Sequence, residues 1–439
     1  MMFFVVAGNL QYKDIRCLGH LRRVFELLER LHNVGCERDT AGNRQLHFDG
    51  YCKLILLHIW NPLLESVPDL QRAVGLPQVA KALGVKRFSA GSFSESVRVF
   101  QPQLLKPIIE ELTGQLPSFP QAKGLNDLDH VLTLVDGTVL PMIARLARSV
   151  CGGPVCGGPV CGIGQEGLPA TRYNTARDGR GMYGWRLHTQ FDLETFSPHR
   201  IDRTGARNAG TNRESNVLRA NLEPGRCYVG DGGYADRKLF DDITDIGSSY
   251  VIRSADNAVF EVVEERLLSR EALDAGVVRD ALVRLEGARH LTRRIEVQVQ
   301  PHVRRCRNGD KQIDLIALTT NLDPALGCQN LAAELIALIY QKRYTIELFF
   351  RNFKQLLGMR HLLNGRQEGI DIQIYCTVIG CLLIQIISGK KPNKAMRSMV
   401  GFYLMGWASA EDVLKELNKP DNRGVKLRAK EALWKKLGY

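Results

Sequence analysis

The sequence predicts an α/β protein in which a mixed sheet flanked by helices is interrupted by a β-rich insertion, with helical parts at both ends. Apolar residues recur at helical spacing up to about residue 125 and again from about residue 330. Between these parts, short β-branched runs alternate with helix-compatible stretches, as in a sheet covered by helices. Residues 255–315 hold strand-like runs separated by charged turns. The predicted regions are a helical N-terminal region (1–125), a first part of the core (126–254), the insertion (255–318), a second part of the core (319–390) and a helical C-terminal region (391–439).

The charge balance of the chain favours a polyanionic partner. The 439 residues include 59 Lys and Arg against 47 Asp and Glu, which gives a net charge of +12 and an isoelectric point near 9.2. Such an excess is typical of proteins that bind nucleic acid or a membrane surface. The cysteine count of 11 is odd and most cysteines are scattered singly, which favours reduced thiols in the cytoplasm. The start of the chain has no basic segment, so no signal peptide is predicted.

The helical N-terminal region contains a candidate DNA-binding element. Over Leu76–Ser96, a short helix-compatible run is followed by a turn at Gly84, by Lys86 and Arg87, and then by a second segment. A helix-turn-helix has this order and can place its second helix in a DNA groove. A helical hairpin that only packs against its neighbours has the same order, so both interpretations stay open.

Two aspartates follow hydrophobic runs in the predicted core. The run HVLTLVDGTV carries Asp136 and suits a buried central strand, and the run RCYVGD ends in Asp231. Between them lie two further predicted strands, a helix (NRESNVLRANL) and the repeat Cys151–Gly162. The repeat is rich in glycine, which predicts a flexible loop. Its three cysteines could hold a metal ion, but neither a CxxC pair nor a nearby His favours a metal site. His188 fits a hydrogen-bonded sheet histidine better than a site residue.

The segment Leu335–Leu363 predicts one long helix, since it contains no Pro and its only Gly falls late. Four chemically active side chains share one face of this helix within about 60° of arc, namely Tyr340, Arg343, Glu347 and Lys354. Arg351 lies on or beside that face. A solvated charged face is the ordinary explanation of such a strip. Against it, Glu347 is the single acid among cations, which suits a metal-bearing carboxylate beside DNA phosphates.

The pattern Tyr340-x2-Arg343-x3-Glu347-x6-Lys354 resembles the signature of the insertion-sequence-four family of bacterial DDE transposases. The match needs four residue types at three fixed spacings. The segments LVDGTVLP and YVGDGGYADRKLF, which hold the two aspartates, resemble the strands that carry the first two carboxylates of that family. The family also inserts a β-rich domain before its third carboxylate, as this sequence does. The resemblance covers the chain from about Phe88 to about Lys390.

The resemblance implies a ribonuclease-H-like catalytic core with a metal-binding DDE triad. Asp136, Asp231 and Glu347 would be the catalytic carboxylates and would hold two Mg2+ ions per active site, or Mn2+ in their place. Tyr340, Arg343 and Lys354 match residues that contact the DNA end in this family. Arg351 is a further candidate for a phosphate contact, or a simple exposed side chain. In one departure from the family, the inserted block has no Trp, and Phe260 is its single aromatic residue for stacking a flipped base.

The function implied by the resemblance is cut-and-paste DNA transposition. Such a protein binds the ends of a mobile element, acts on them as an endonuclease and joins the 3′-OH ends to target DNA. One implied partner is double-stranded DNA, both as the terminal inverted repeats of the element and as the target. The other is a second copy of the chain in the DNA complex. The implied location is the bacterial cytoplasm, at the nucleoid. Two alternatives stay open: a catalytically silent DNA-binding regulator, which the presence of all three carboxylates disfavours, and a ribonuclease-H-like nuclease that only hydrolyses.

One apolar stretch, Ile370–Ser388, is almost long enough to span a bilayer. It carries Asp371, Gln373 and Gln385, and each of these side chains is costly in lipid. The sequence therefore predicts a buried core helix and no membrane partner, with a membrane span as the alternative.

Overall fold

The computed structural model describes most of the chain in two compact units. The described residues are 25–119, 121–141, 171–174, 181–299, 314–356 and 362–419, apart from 41, 62, 122–123, 126–127, 256, 365, 392, 394, 397, 400–401 and 403–407. The repeat Cys151–Gly162 lies outside them. One unit comprises Met1–Leu116 together with Glu368–Tyr439, and the other comprises Pro117–Gln367.

The N-terminal part of the first unit is helical, as predicted. Tyr51 stacks on Phe93 with 4.5 Å between ring centroids and lies 5.4 Å from the ring of Phe100, which gives this part an aromatic centre. The segment that resembles a helix-turn-helix forms two short helices, and Gly84 between them has a φ of 65°. Its use in DNA binding stays a prediction. The helices are α1 (Leu31–Val34), α2 (Phe48–Trp60), α3 (Val67–Val74), α4 (Pro77–Leu83), α5 (Ala90–Ser96) and α6 (Lys106–Thr113), with a 3-10 turn at Pro102–Leu105 before α6.

The described strands of the second unit form one ten-stranded mixed sheet in the order β2-β3-β1-β5-β6-β10-β9-β8-β7, with β4 also paired to β3. The strands are β1 (Val131–Pro141), β2 (Thr171–Asn174), β3 (Gly181–Asp192), β4 (Ser197–Gly205), β5 (Arg226–Gly230), β6 (Ser249–Arg253), β7 (Phe260–Glu265), β8 (Val277–Leu285), β9 (Thr292–Val299) and β10 (Asp314–Thr320). β1, β3 and β4 form an antiparallel meander, whereas β5 and β6 run parallel to β1. This is the strand arrangement of a ribonuclease-H-like core, so the predicted fold class is confirmed.

The β-rich block continues the core sheet. β10 pairs with β6 on one side and with β9 on the other, and β9, β8 and β7 follow as an antiparallel ribbon. The strand-like runs noted in the sequence correspond to β7, β9 and β10, whereas β8 has no counterpart among them. One hydrogen-bonded sheet therefore extends from the core into the inserted block.

Helices cover the sheet on both faces. On one face, Phe240 of α8 stacks on Tyr250 of β6 with 4.6 Å between ring centroids. On the other, Phe349 of α11 packs on Phe191 of β3 at 5.0 Å. The helices of this unit are α7 (Glu214–Arg219), α8 (Arg237–Asp245), α9 (Arg270–Asp274), α10 (Ala333–Lys342) and α11 (Tyr344–Leu356), with 3-10 turns at Gly210–Asn212, Gly232–Tyr234 and Pro324–Leu326.

The prediction of one long helix over Leu335–Leu363 is wrong in one respect. The segment is divided into α10 and α11 at Arg343. The amide of Arg343 donates to the Tyr340 carbonyl and the amide of Ile346 donates to the Arg343 carbonyl, so the hydrogen bonds here span three residues instead of four. Such bonds tighten the turn locally and interrupt the regular α-helix.

The C-terminal residues of the first unit contain α12 (Gln367–Ser388) and α13 (Ala410–Asn418). In the described part of the chain, α12 is the one helix that is long and apolar enough to cross a membrane, and 83% of its most apolar window is buried inside the protein. Its Gln373 and Gln385 are buried as well. The sequence prediction of a core helix agrees with this burial.

Candidate active site

The sheet register brings Asp136 and Asp231 side by side. β1 and β5 are parallel, and Leu134 is paired with Val229. Two residues further along each strand come Asp136 and Asp231. Because paired residues of parallel strands point to the same face and the pattern repeats every second residue, both aspartates project from the same face as Leu134 and Val229. Asp136 lies within β1, and Asp231 follows the last residue of β5.

The face that carries the two aspartates is the one covered by α11. Phe191 is paired with Leu134 across β1 and β3, so it lies on that face, and its ring contacts Phe349 of α11. The aspartates lie close enough to three residues of the signature to shift their pKa values. The charge of Asp231 acts on Tyr340, and the charge of Asp136 acts on Arg343 and Lys354. The sheet and the α10–α11 segment therefore enclose one polar site.

Asp136 is the most perturbed carboxyl of this site. Burial, followed by the negative charge of Asp231, raises its pKa from the ordinary 3.8 to about 7. The amide of Gly137, which donates to Asp136 Oδ1 at 2.8 Å, and the charge of Arg343 counter this only in part. Asp231 Oδ1 accepts a hydrogen bond from the amide of Gly233 at 2.9 Å. A buried acid beside a second acid is the electrostatic arrangement that a cation relieves.

Glu347 is connected to this pair through Arg343. Arg343 Nη2 donates to Glu347 Oε1 at 2.8 Å, and the charge of Asp136 also acts on the same guanidinium. Burial acts to lower the pKa of Arg343, but Tyr340, Glu347 and Asp136 together raise it. The guanidinium therefore lies between the third predicted carboxylate and the first. The break between α10 and α11 occurs at this arginine.

The remaining predicted residues differ in their surroundings. Burial raises the pKa of the Tyr340 hydroxyl, which also hydrogen-bonds with Arg343. Burial lowers the pKa of Lys354, and the charge of Asp136 offsets this in part. Arg351 is exposed, and its Nη2 lies 3.5 Å from the Tyr344 hydroxyl. Tyr340 and Lys354 thus face the acidic centre, whereas Arg351 stands apart from it.

The donor set fits a hard divalent cation. Carboxylate oxygens are the ligands that Mg2+ prefers, and two of the predicted carboxylates converge at the end of the sheet. Within the described residues, no three His, Cys, Asp or Glu side chains already stand in a metal-binding arrangement. In this structure, Arg343 is the hydrogen-bond partner of the third predicted carboxylate, Glu347.

A fourth carboxylate, Glu214, lies at the same end of the sheet and was not identified from the sequence. It is buried at the start of α7 and forms an ion pair with Arg186 of β3. Its charge raises the pKa of Asp136 and that of Tyr234. In the sequence, an acid at the start of a helix is ordinary, because it interacts favourably with the helix dipole. The available signal was the glycine after each aspartate, Gly137 and Gly232–Gly233, where the absence of a side chain leaves room for an approaching group.

Two other residues singled out in the sequence are engaged elsewhere. His188 is buried, and its Nε2 lies 2.8 Å from Thr204 Oγ1, which agrees with a hydrogen-bonded sheet histidine. Burial lowers its pKa to about 4. The Arg294 guanidinium lies 4.5 Å from the ring centroid of Phe260 and covers that ring. The single aromatic residue of the inserted block is therefore already stacked.

Comparison with known proteins gives two results. Residues 128–381 match the model of the family described as "Transposase DDE domain". "Putative transposase y4zB" of Sinorhizobium fredii is 26% identical to the chain over 212 residues, which are 48% of this chain and 55% of that protein. The chain therefore spans about half the length of the curated relative that it matches.

Proposed function

This chain belongs to the transposase DDE domain family, and from that premise we propose that it is a DNA transposase with a two-metal DDE active centre. It would bind the ends of a mobile element, cleave phosphodiester bonds there and join the 3′-OH ends to target DNA. The family model covers more than half of the chain and includes every residue of the candidate site. The observation that carries the proposal is the parallel register that places Asp136 beside Asp231 on the face covered by α11.

Asp136, Asp231 and Glu347 are the proposed catalytic metal ligands. Asp136 and Asp231 would hold the ions together, because the register of β1 and β5 places them side by side on one face of the sheet. Glu347 of α11, now hydrogen-bonded to Arg343, would complete the set. When bound, the two ions supply a more nucleophilic attacking oxygen and stabilise the leaving 3′ oxygen.

Cations next to the acidic centre would hold the DNA backbone. Arg343 and Lys354 are proposed to contact phosphates, and the Tyr340 hydroxyl is proposed to lie near the displaced end of the strand. Arg343, on release from Glu347, offers several N–H donors in a plane, which suits phosphate oxygens. Arg351 remains a weaker candidate because it is exposed and outside this cluster.

The spacing of Tyr340, Arg343, Glu347 and Lys354 supports assignment to the insertion-sequence-four group and hence a cut-and-paste reaction. Paired cutting requires one active site for each end of the element, so the proposed assembly on DNA is a homodimer. The stacking of Phe260 under Arg294 argues against this ring as the platform for a flipped base. A hairpin intermediate would therefore need an aromatic residue from another part of the chain.

The decisive experiment uses a supercoiled plasmid that carries the DNA flanking the gene on both sides. The full chain is incubated with this plasmid and Mg2+, and released element and joined products are resolved on a gel. We expect both products from the wild type, none from Glu347→Gln, and both from Glu334→Gln, a matched change on α10 outside the site. Cleavage without joining would instead assign a hydrolytic nuclease. If the wild type and Glu347→Gln give identical products, the proposed function is wrong.

A further inference from the structure

The carboxylate of Glu214 rests directly on the backbone next to both aspartates. A Cβ atom added at Gly137 would clash with Glu214 Oε1, and one added at Gly233 would lie 2.7 Å from Glu214 Oε2 and 3.0 Å from Asp231 Oδ1. Gly137 follows Asp136, and Gly233 is the residue whose amide holds Asp231. A glycine inside a strand often marks a site where another group approaches the backbone closely. One carboxylate therefore contacts the chain beside each proposed metal ligand.

Three contacts fix Glu214 in this position. Its Oε1 forms the ion pair with Arg186 Nη1, and its Oε2 lies 3.5 Å from Asn208 Nδ2. Its backbone amide donates to Asn208 Oδ1 at 2.9 Å. The side chains of Glu214 and Arg186 are only 8% and 17% exposed. Because desolvation cancels much of the attraction in a buried ion pair, stability alone is a weak reason for placing one here.

Near β1, Glu214 lies on the opposite face of the sheet from the side chain of Asp136. Successive residues of a strand point to opposite faces, so the Cβ position of Gly137 points away from the face on which Asp136 projects. Arg186 and His188 flank that position on β3, since His188 is paired with Gly137. Glu214 thus approaches Gly137 from the face of β1 opposite to Asp136.

We propose that Glu214, held by Arg186, is a positioning residue that sets the separation of Asp136 and Asp231 for divalent metal ions. This inference rests on the proposed function, because it assumes that the two aspartates bind metal. Glu214 acts through backbone contact with Gly137 and Gly233. Loss of its charge would release Arg186 and allow the ends of β1 and β5 to move relative to one another.

The test measures Mn2+ binding to the full chain without DNA, by titration calorimetry. Groups that orient metal ligands typically affect metal affinity by about 10- to 100-fold. We therefore expect Glu214→Gln to raise the Kd for Mn2+ by about 10-fold or more. The matched control is Glu223→Gln, which removes another carboxylate paired with an arginine, at the opposite end of β5. Equal Kd values for Glu214→Gln and wild type would overturn the proposal.

A second pair of variants keeps the test decisive if Glu214→Gln does not fold. A Cβ at Gly137 meets Glu214 and Arg186, whereas one at Gly232, which also follows a proposed ligand, has no neighbour within 4 Å. We expect Gly137→Ala to weaken Mn2+ binding clearly more than Gly232→Ala, and equal effects would overturn the proposal. Asp136→Asn distinguishes failure of the proposed metal site from failure of the positioning role. If Asp136→Asn binds Mn2+ like the wild type, the proposed metal site is wrong. If Asp136→Asn loses binding while Glu214→Gln binds normally, only the positioning role is wrong.

Discussion

The two ends of strand β5 carry similar charged side chains in different electrostatic states. At the beginning of the strand, Arg226 donates to Asp192 Oδ1 and to Glu223 Oε2, each at 2.7 Å. Burial acts to raise the pKa of Glu223, but hydrogen bonds with His199 and Arg226 lower it below its ordinary value. Every acid in this cluster has a basic partner at hydrogen-bond or ion-pair distance.

At the other end of β5, acids outnumber their basic partners. Asp136 and Asp231 lie side by side with Glu214 behind them, and burial together with these charges raises the pKa of Asp136 to about 7. Arg186 is committed to Glu214, and Arg343 is shared with Glu347. The difference separates a cluster of paired charges from one that holds a strongly perturbed carboxyl group, which the proposed function explains by metal binding. Perturbed carboxyl groups of the second kind are typical of functional sites.

The largest expected effect is on catalysis. Asp136→Asn or Asp231→Asn removes a proposed ligand, and loss of several kcal/mol of transition-state stabilisation corresponds to a decrease in joined product of about 1000-fold or more. Glu223→Gln, at the balanced end of β5, leaves the yield unchanged. The check is the plasmid assay under single-turnover conditions. Equal losses at both ends of the strand would remove the functional distinction between them.

The next effect is on stability and concerns the balanced end. Arg226→Met leaves Asp192 and Glu223 without their main cationic partner, and we expect it to lower the free energy of unfolding by about 2–3 kcal/mol. The loss stays below that of a fully buried pair because Glu223 is 37% exposed. Urea denaturation measures the change, and Mn2+ titration of the same variant should give the wild-type Kd. A changed Kd would mean that this end also shapes the metal site.

A smaller stability effect of opposite sign is expected at the acidic end. The pKa of Asp136 is about 7 in the folded protein, whereas its ordinary value is 3.8. Ionisation of this carboxyl therefore lowers the free energy of unfolding fully above about pH 7, and it has no effect below about pH 3.8. In EDTA at pH 8, Asp136→Asn should therefore raise the free energy of unfolding by about 1–3 kcal/mol. This gain should shrink steadily from pH 7 towards pH 4. Urea denaturation across this pH range provides the check, and a gain that is independent of pH would contradict the electrostatic explanation.

The smallest expected effect concerns DNA affinity. Lys354 lies near Asp136 on the α11 side of the sheet, and one lost phosphate contact reduces the slope of log K against log salt concentration by about 0.9. Lys354→Met should show this reduction. Lys238→Met should not, because α8 covers the opposite face of the sheet. Fluorescence anisotropy with labelled end DNA at several salt concentrations measures both slopes, and equal slopes for Lys354→Met and wild type would place the DNA elsewhere.

The aspartates could be located from the sequence because each follows a hydrophobic run of recognisable length. Alternation and β-branched content depend on local sequence, so β1 and β5 lie near their predicted positions. Strand β8 was not, because VVRDALVRL has charged residues spaced irregularly among apolar ones. Its burial follows from pairing with β7 and β9, which local sequence does not reveal.

The parts of the site that depend on tertiary contacts could not be predicted. The interruption at Arg343 involves no Pro or Gly; it coincides with the interaction of this side chain with Glu347 and Asp136. Glu214 is far in sequence from Gly137, and only the folded sheet brings them together. Burial of a charge depends on packing around it, so the raised pKa of Asp136 also has no local sequence signal.

The hydrogen bonding of β10 to both β6 and β9 constrains how the protein can be shortened. Deletion of the ribbon β7–β9 would leave β10 as an edge strand with unpaired backbone groups. The strand has the sequence DLIALTT, and its Leu315 is already 55% exposed. Exposed apolar edges recruit further chains by strand pairing, which leads to aggregation. We therefore expect a fragment shortened in this way to aggregate, because the ribbon no longer covers the edge of the core sheet.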